Sequence, residues 1–300
     1  MTQRVLVLGY GEMGHAMEYL LAEKQQLRIW QRTHKNNLEP EKNNLQHEVA
    51  AAQVILFCVP VNAHAEIISN IAAHLATDSL CLSIAKGLDE SGRTAAEVLR
   101  DMLHSHRYGV MCGPMIAEEI MQGHYAFADV ALSHTQGFET VHTLFQGSTL
   151  ICKQATDMLG SSWLSALKNV YAILFGMAES LKLGDNMRGY LIVAATAEIS
   201  VIMQSLGADA HTMYSYAGLG DLLTTASSEH SHHYQLGRRL ALGEVFELTG
   251  EGVHTLKMIE KFQLFDSGSY PLFTLVTAII ARPEQLKIRL QAHFNRLQER

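Results

Sequence analysis

A glycine-punctuated turn close to the start of the chain limits the fold more than any other feature. Val5, Leu6, Val7 and Leu8 form a short, wholly apolar run that stops at Gly9. Gly9-Tyr10-Gly11-Glu12-Met13-Gly14 follows, spelling G-x-G-x-x-G, and a helical pattern covers residues 13–22. A strand with no polar face is one buried on both sides, as in a parallel sheet. In such a turn the first glycine permits the sharp bend. The second lets a diphosphate reach the backbone, and the third lets the helix pack on the strand. The diphosphate then rests on the positive end of the helix. Strand, glycine turn and helix in this order predict a dinucleotide site with Gly9, Gly11, Glu12, Met13 and Gly14 at the cofactor.

The choice of dinucleotide is read about 20 residues on, where NAD-selective chains place an acid for the ribose 2′-hydroxyl. After a second strand over residues 27–30, this chain has Gln31 and Arg32 and no acid. Arg32 suits a 2′-phosphate, so NADP(H) is favoured, with NAD(H) as the alternative. The polar stretch 31–48 reads as a loop. Further strands are expected over residues 54–59, 80–84, 110–112, 126–132 and 150–152, alternating with helices over 63–75 and 94–103. That alternation predicts a parallel α/β sheet. Beyond Asp157 the strand pattern ends, and Trp163, Leu167, Val170, Tyr171 and Leu174 recur at helical spacing, with Ser161 or Ser162 as the cap. Further helices are expected over residues 191–204, 211–216, 235–242, 253–261 and 272–281. The fold class is therefore an α/β Rossmann-type N-terminal domain over residues 1–156, dinucleotide-binding, with an all-helical C-terminal domain over residues 157–300, substrate-binding and catalytic.

Composition removes several classes of function. Apolar residues make up 48% and charged residues 18%, which is incompatible with a disordered chain. A formal charge of −7 offers no basic face for nucleic acid. No stretch supplies the roughly 18 uncharged apolar residues of a membrane span. The four-residue apolar run at the N-terminus is shorter than the ~7–15 residues of a signal-peptide core, so a cytoplasmic protein is expected. Cys58, Cys81, Cys112 and Cys152 form no C-x-x-C pair and read as inert buried thiols. Of the 16 histidines, His230, His232 and His233 cluster. They read as a polar loop and not a metal site, because adjacent residues point in different directions. The remainder read as surface or interface residues. Base rates for soluble enzymes favour a homodimer.

Five segments carry more specific information. They are Ala85-Lys86-Gly87-Leu88, Cys112-Gly113-Pro114, Ala166-Leu167-Lys168-Asn169-Val170, Leu183-Gly184-Asp185-Asn186-Met187-Arg188 and Ala217-Gly218-Leu219-Gly220-Asp221-Leu222. In this order and at these spacings the set resembles the NAD(P)-dependent glycerol-3-phosphate dehydrogenase family over nearly the whole chain. The resemblance implies hydride transfer between NAD(P)H and dihydroxyacetone phosphate or sn-glycerol 3-phosphate. It makes Lys168 the catalytic lysine, which accepts the proton when the alcohol is oxidised. Lys86 becomes a second active-site lysine at the substrate and cofactor, and Asp221 an acid beside Lys168. Gly113, Met115 and Ala117 fall in a segment whose backbone touches substrate and cofactor, and Glu251 matches a cofactor-contacting glutamate. The chemistry stands independently. A lysine at its free pKa of about 10.4 is a poor base near neutrality, and burial or a second cation such as Lys86 would lower it. Asp221 works the other way, which suits orientation.

The chain also departs from the family. Where the family has a Ser-Arg-Asn-Arg segment that clamps the substrate phosphate, this chain reads Ser231-His232-His233-Tyr234. Arginine is always charged and grips phosphate through a planar fork, whereas histidine is largely neutral at pH 7. Arg238 and Arg239 follow one to two helical turns later and are candidates to compensate. Glu12 would place a carboxylate beside the diphosphate, and Met115 stands where serine or threonine is common. These departures leave two alternatives: the same lysine chemistry on another, unphosphorylated hydroxy compound, or a dinucleotide-binding protein without catalysis.

Overall fold

The computed structural model describes residues 2–32, 42–244 and 246–299. Seven strands form one sheet: β1 (Arg4–Leu8), β2 (Gln26–Trp30), β3 (Val54–Phe57), β4 (Leu80–Ser83), β5 (Arg107–Cys112), β6 (Ala126–Leu132) and β7 (Leu150–Ala155), in the order β2-β1-β3-β4-β5-β6-β7. Every neighbouring pair is parallel except β5 and β6. This is the α/β sheet that the apolar runs predict, with one antiparallel step.

Strand side chains alternate between two faces. Val5, Val7, Val54, Leu56, Leu80, Leu82 and Met111 pack with α1 (Glu12–Leu21), α5 (Ala117–Met121) and α6 (Phe138–Phe145). Leu6, Leu8, Ile55, Phe57, Cys81 and Val110 pack on the other side, with α2 (Lys42–Ala51), α3 (His64–Ile71), α4 (Ala95–Met102) and α7 (Met158–Ser180). In α7 every residue from Gly160 to Met177 is buried, the signature of a helix wrapped on all sides. It packs on β5 and β6 and also against α8 (Gly184–Ser205), α9 (Asp221–Ser227), α10 (His232–Ala241), α11 (Glu251–Phe262) and α12 (Pro271–Ala281), while α13 (Leu286–Gln298) packs on α12. One continuous apolar core therefore joins the sheet to the helices. Where α7 crosses α10, a Cβ on Gly176 would lie 1.9 Å from the Tyr234 carbonyl oxygen, and one on Gly237 would lie 2.0 Å from that of Ile173. Only glycine permits this approach, which sets α10 against the C-terminal third of α7.

Local readings are corrected in three places. Residues 42–48, read as loop, belong to α2, whose inner face includes buried Leu45 and Val49; residues 33–41 of that stretch lie outside the described residues. The cap of α7 is Asp157, not Ser161 or Ser162. One of its carboxylate oxygens accepts from the Gly160 N–H at 2.8 Å, and the other from Asp209 N and Thr212 Oγ1 at 2.9 and 2.7 Å. The expected helix over 211–216 is a 3₁₀ turn, Ala210–Tyr214, followed by a π-turn, Tyr216–Gly220. Among the described residues no helix is long and apolar enough to cross a membrane, and no group of three His, Cys, Asp or Glu could hold a metal ion.

Candidate active site

A cleft of about 460 Å³ opens at the carboxyl ends of β1, β3 and β4 and is closed from the other side by α7, α9, α10 and the start of α11. Ligands in open α/β sheets bind at this end of the strands.

The glycine turn forms one wall. Gly9 has φ +101°, and a Cβ there would meet Val59 Cγ1 at 2.5 Å. A Cβ on Gly14 would lie 2.4 Å from the Gly9 carbonyl oxygen, whereas one on Gly11 would meet nothing within 4 Å. The first and third glycines are thus held by packing, and the second faces open space. No side chain caps α1, so its first-turn N–H groups, which have no partner within a helix, are open to an anion. These observations fit a dinucleotide diphosphate. Glu12 and Met13 border the cleft at the same turn. A second cavity of about 610 Å³ adjoins through Val59 and Pro60 and is bordered by Gly9, Trp30 and Arg32. There the Arg32 guanidinium is exposed and pairs with Glu66 at 3.4 Å.

At the centre, Asp221 bridges two lysines. Its Oδ1 lies 2.8 Å from Lys168 Nζ and its Oδ2 3.1 Å from Lys86 Nζ. Lys168 projects from mid-α7, and Lys86 from the loop after β4, next to Gly87 at φ +92°. Asp221 opens α9, directly after the π-turn. That turn is itself tethered, because the Ala217 N–H donates to buried Asp129 on β6 at 2.8 Å. Lys168 also donates to Thr225 Oγ1. Only 4% of Lys168 and 2% of Asp221 is exposed. Burial pushes the Lys168 ammonium down; Asp221 resists this and Lys86 adds to it, leaving it at about 7. Burial also works against the charge on Lys86, but Asp221 outweighs it and holds Lys86 above its ordinary value. The main cause of the lowered Lys168 is therefore burial, with Lys86 a lesser contributor.

Glu251 begins α11 and borders the cleft, where Asn169 Nδ2 donates to its Oε2 at 3.2 Å. Burial raises this carboxyl, against the pull of both lysines. Met115, Ala117 and Ser231 also border the cleft. Gly113 does not: its Cβ position lies 2.3 Å from the Phe127 carbonyl oxygen, so it serves the close approach of β5 to β6. Adjacent His232 and His233 diverge. His232 is exposed at the rim, its Nε2 3.5 Å from Glu12 Oε1. His233 is buried, and its Nε2 accepts from the Gly252 N–H at 2.9 Å. Arg238 and Arg239 lie away from the cleft, paired with Glu229 at 3.6 Å and Glu244 at 2.6 Å. Neither replaces an arginine at the rim.

The sequence reading passed over Thr225 and Asn169. The D-x-x-x-T spacing from Asp221 places Thr225 one turn on, on the same helix face, and Asn169 adjoins Lys168. Two histidines read as surface residues are buried, His64 and His293. His64 Nδ1 donates to the Pro60 carbonyl at 3.1 Å, the Ser83 hydroxyl donates to Nε2 at 2.8 Å, and Ser83 Oγ accepts from Ala85 N at 3.1 Å. This relay ties together two loops that border the cleft. His293 bonds Tyr190 Oη at 2.8 Å.

Comparison with known proteins gives the family of the chain. The C-terminal model of NAD-dependent glycerol-3-phosphate dehydrogenase matches residues 157–290, and the N-terminal model matches residues 36–137. A glycerol-3-phosphate dehydrogenase [NAD(P)+] of Pseudomonas aeruginosa (strain LESB58) is 33% identical over 291 residues, covering 86% of this chain and 84% of the relative. The corresponding protein of Teredinibacter turnerae is 31% identical, covering 90% and 88%. The crystal structure of glycerol-3-phosphate dehydrogenase from Coxiella burnetii superposes with a TM-score of 0.80 at 24% identity, covering 100% of this chain and 99% of that one, which shows a shared fold. With both halves matched by the family models and full-length relatives above 30% identity, the chain belongs to the NAD(P)-dependent glycerol-3-phosphate dehydrogenase family of oxidoreductases.

Proposed function

We propose that this chain interconverts dihydroxyacetone phosphate and sn-glycerol 3-phosphate, with Lys168 as the proton donor and acceptor and residues 1–156 and 157–300 holding cofactor and substrate respectively. The observation that carries this reading is the Lys86–Asp221–Lys168 group, which faces the same cleft as the uncapped N-terminus of α1. Bound NAD(P)H supplies the hydride, and the protein supplies position and electrostatics.

The chain's own residues do the rest. Reduction of a ketone needs a proton at the developing alkoxide. Lys168, at about 7, is poised to give that proton near neutrality and to take it back in oxidation. Asp221 and Thr225 fix the ammonium in place from two sides. Lys86 keeps its charge and can polarise the carbonyl oxygen. Gly11 and the first turn of α1 receive the diphosphate, with Glu251 and Ala117 on the facing wall. Arg32, beside the adjoining cavity, favours NADP(H).

The test is oxidation of NADPH and of NADH with dihydroxyacetone phosphate, with unphosphorylated dihydroxyacetone and with other small carbonyls. Turnover with the phosphorylated ketone supports the reading, and turnover only with another carbonyl refutes it. A second reading, an unphosphorylated hydroxy compound, draws support from one observation: no arginine borders the cleft among the described residues.

A further inference from the structure

Two loops reach the cleft from neighbouring strands. Val59 and Pro60 follow β3 and border both the cleft and the adjoining cavity, and Ile84, Ala85 and Lys86 follow β4. The ladder between these strands ends where the Ile84 N–H donates to the Phe57 carbonyl at 3.3 Å. One residue on, the Ala85 N–H is taken by Ser83 Oγ at 3.1 Å. On the far side, Leu88 bridges Thr94, and the Asp89 N–H donates to the Arg93 carbonyl at 2.8 Å. Lys86 and Gly87 form the short span between these anchors. The reach of the Lys86 ammonium to Asp221, at 3.1 Å, therefore depends on how Ser83 holds Ala85.

Ser83 is fixed in turn by His64, the first residue of α3, and both side chains are wholly buried. The Nδ1–H donates to the Pro60 carbonyl at 3.1 Å, so Nε2 is left to accept the Ser83 hydroxyl at 2.8 Å, and Ser83 Oγ is left to accept from Ala85. One neutral tautomer satisfies all three bonds. Burial pushes the ring down to about 4, so it stays neutral at pH 7. Phe57 packs on the imidazole with centroids 5.0 Å apart. Burying an imidazole and a hydroxyl costs free energy that an apolar pair would not, whereas a fully satisfied buried network fixes one geometry. Its two ends, the Pro60 carbonyl and the Ala85 N–H, both belong to residues that border the cleft, and His64 itself does not border it. We infer that His64 is a positioning residue for Lys86: through Ser83 and Ala85 it holds the loop after β4 in the arrangement that brings the Lys86 ammonium to Asp221 and to the substrate carbonyl. The inference rests on the reading above that Lys86 polarises this carbonyl.

The test measures reduction of dihydroxyacetone phosphate with saturating NADPH in the full-length protein. His64→Phe removes both ring bonds but keeps a ring against Phe57, Ser83→Ala removes the middle link, and His64→Gln keeps one donor and one acceptor. His64→Phe and Ser83→Ala should each lower kcat/KM by about 10–100-fold, the loss expected when a reacting group is displaced by about 1 Å, with NADPH affinity within about threefold of wild type. His64→Gln should restore most of the rate. In a Lys86→Ala background, read by single turnover with enzyme in excess, adding His64→Phe should lower the rate by less than about twofold, because effects that pass through one residue do not add. Equal losses in the two backgrounds make His64 a general support of the fold and overturn the inference, as does wild-type kinetics in folded His64→Phe and Ser83→Ala. Should His64→Phe fail to fold, Ser83→Ala in both backgrounds decides between the same outcomes. Wild-type kinetics in Lys86→Ala overturns the reading of Lys86 and the inference with it. If the wild type reduces only an unphosphorylated carbonyl, the substrate reading alone fails, and the comparison is made with that carbonyl. Absence of turnover with every carbonyl overturns both.

Discussion

His233 accepts the backbone N–H of Gly252 through Nε2 at 2.9 Å, which locks the start of α11 against α10. A Cβ on Gly252 would lie 2.8 Å from both His233 Cδ2 and the Asn169 carbonyl oxygen. The contact therefore sets where the neighbouring Glu251 enters the cleft. The ring is neutral in the fold, its pKa pushed down to about 3 chiefly by burial, against an ordinary value of 6.5. The unfolded chain binds a proton below pH 6.5 that the folded chain refuses, so this residue costs stability as pH falls from 6.5 towards 3. His233→Asn keeps an acceptor that does not titrate. Urea unfolding at pH 7 and pH 5 should show the wild type losing on the order of 1–2 kcal/mol more than the variant.

Removing the Lys168 ammonium should stop proton transfer without dismantling the cofactor site. Lys168→Ala is expected to lower kcat by roughly 10²–10⁴-fold, while NADPH binding followed by fluorescence stays within a few-fold of wild type. In the wild type, reduction needs the protonated lysine and should fall as pH rises above about 7, and oxidation should rise over the same range. Full activity in the alanine variant would refute the assignment.

Asp221 resists the fall in the Lys168 pKa, so Asp221→Asn should move the alkaline limb of the reduction profile below that of the wild type. It also leaves buried Lys168 and half-buried Lys86 without their counter-charge, and breaking a buried pair such as Lys168–Asp221 costs about 3–5 kcal/mol. Steady-state pH profiles and urea unfolding read the two effects separately.

The glycine turn offers a contrast between two similar substitutions. Gly14→Ala drives a methyl towards the Gly9 carbonyl and should destabilise the protein. Gly11→Ala meets no protein atom within 4 Å and should leave thermal stability nearly unchanged while lowering dinucleotide affinity tenfold or more. Calorimetric melting and cofactor titration of both variants check this. Equal cofactor affinity for Gly11→Ala and wild type would place the diphosphate elsewhere.

Arg32 is exposed and its pairing with Glu66 is loose, at 3.4 Å. Surface pairs of this kind contribute little to stability, so the side chain is free to turn towards a 2′-phosphate. Arg32→Ala should weaken NADPH binding about tenfold, for loss of a charged hydrogen bond, and leave NADH unaffected. Loss of both affinities to the same degree would show that Arg32 does not select the cofactor.

Local patterns carried much of this protein. The apolar run from Val5 to Leu8, the spacing of Gly9, Gly11 and Gly14, and the helical recurrence after Asp157 rest on backbone sterics and on periods of two and 3.6 residues, which short windows express. Lys86, Lys168 and Asp221 were legible as candidates because each sits in a short, distinctive segment. The sequence could not show that one carboxylate bridges both lysines, since 135 and 53 residues separate Asp221 from Lys86 and Lys168. Nor could it assign opposite fates to adjacent histidines, one exposed beside Glu12 and the other buried under Gly252. Arg238 and Arg239 looked available until the crossing of Gly176 and Gly237 set the rotation of α10 and turned them outward. Side-chain identity and spacing are local properties, whereas charge environment depends on burial and on partners brought together by packing. The chemistry of Lys168 and the neutrality of His233 were therefore decided only by the tertiary structure.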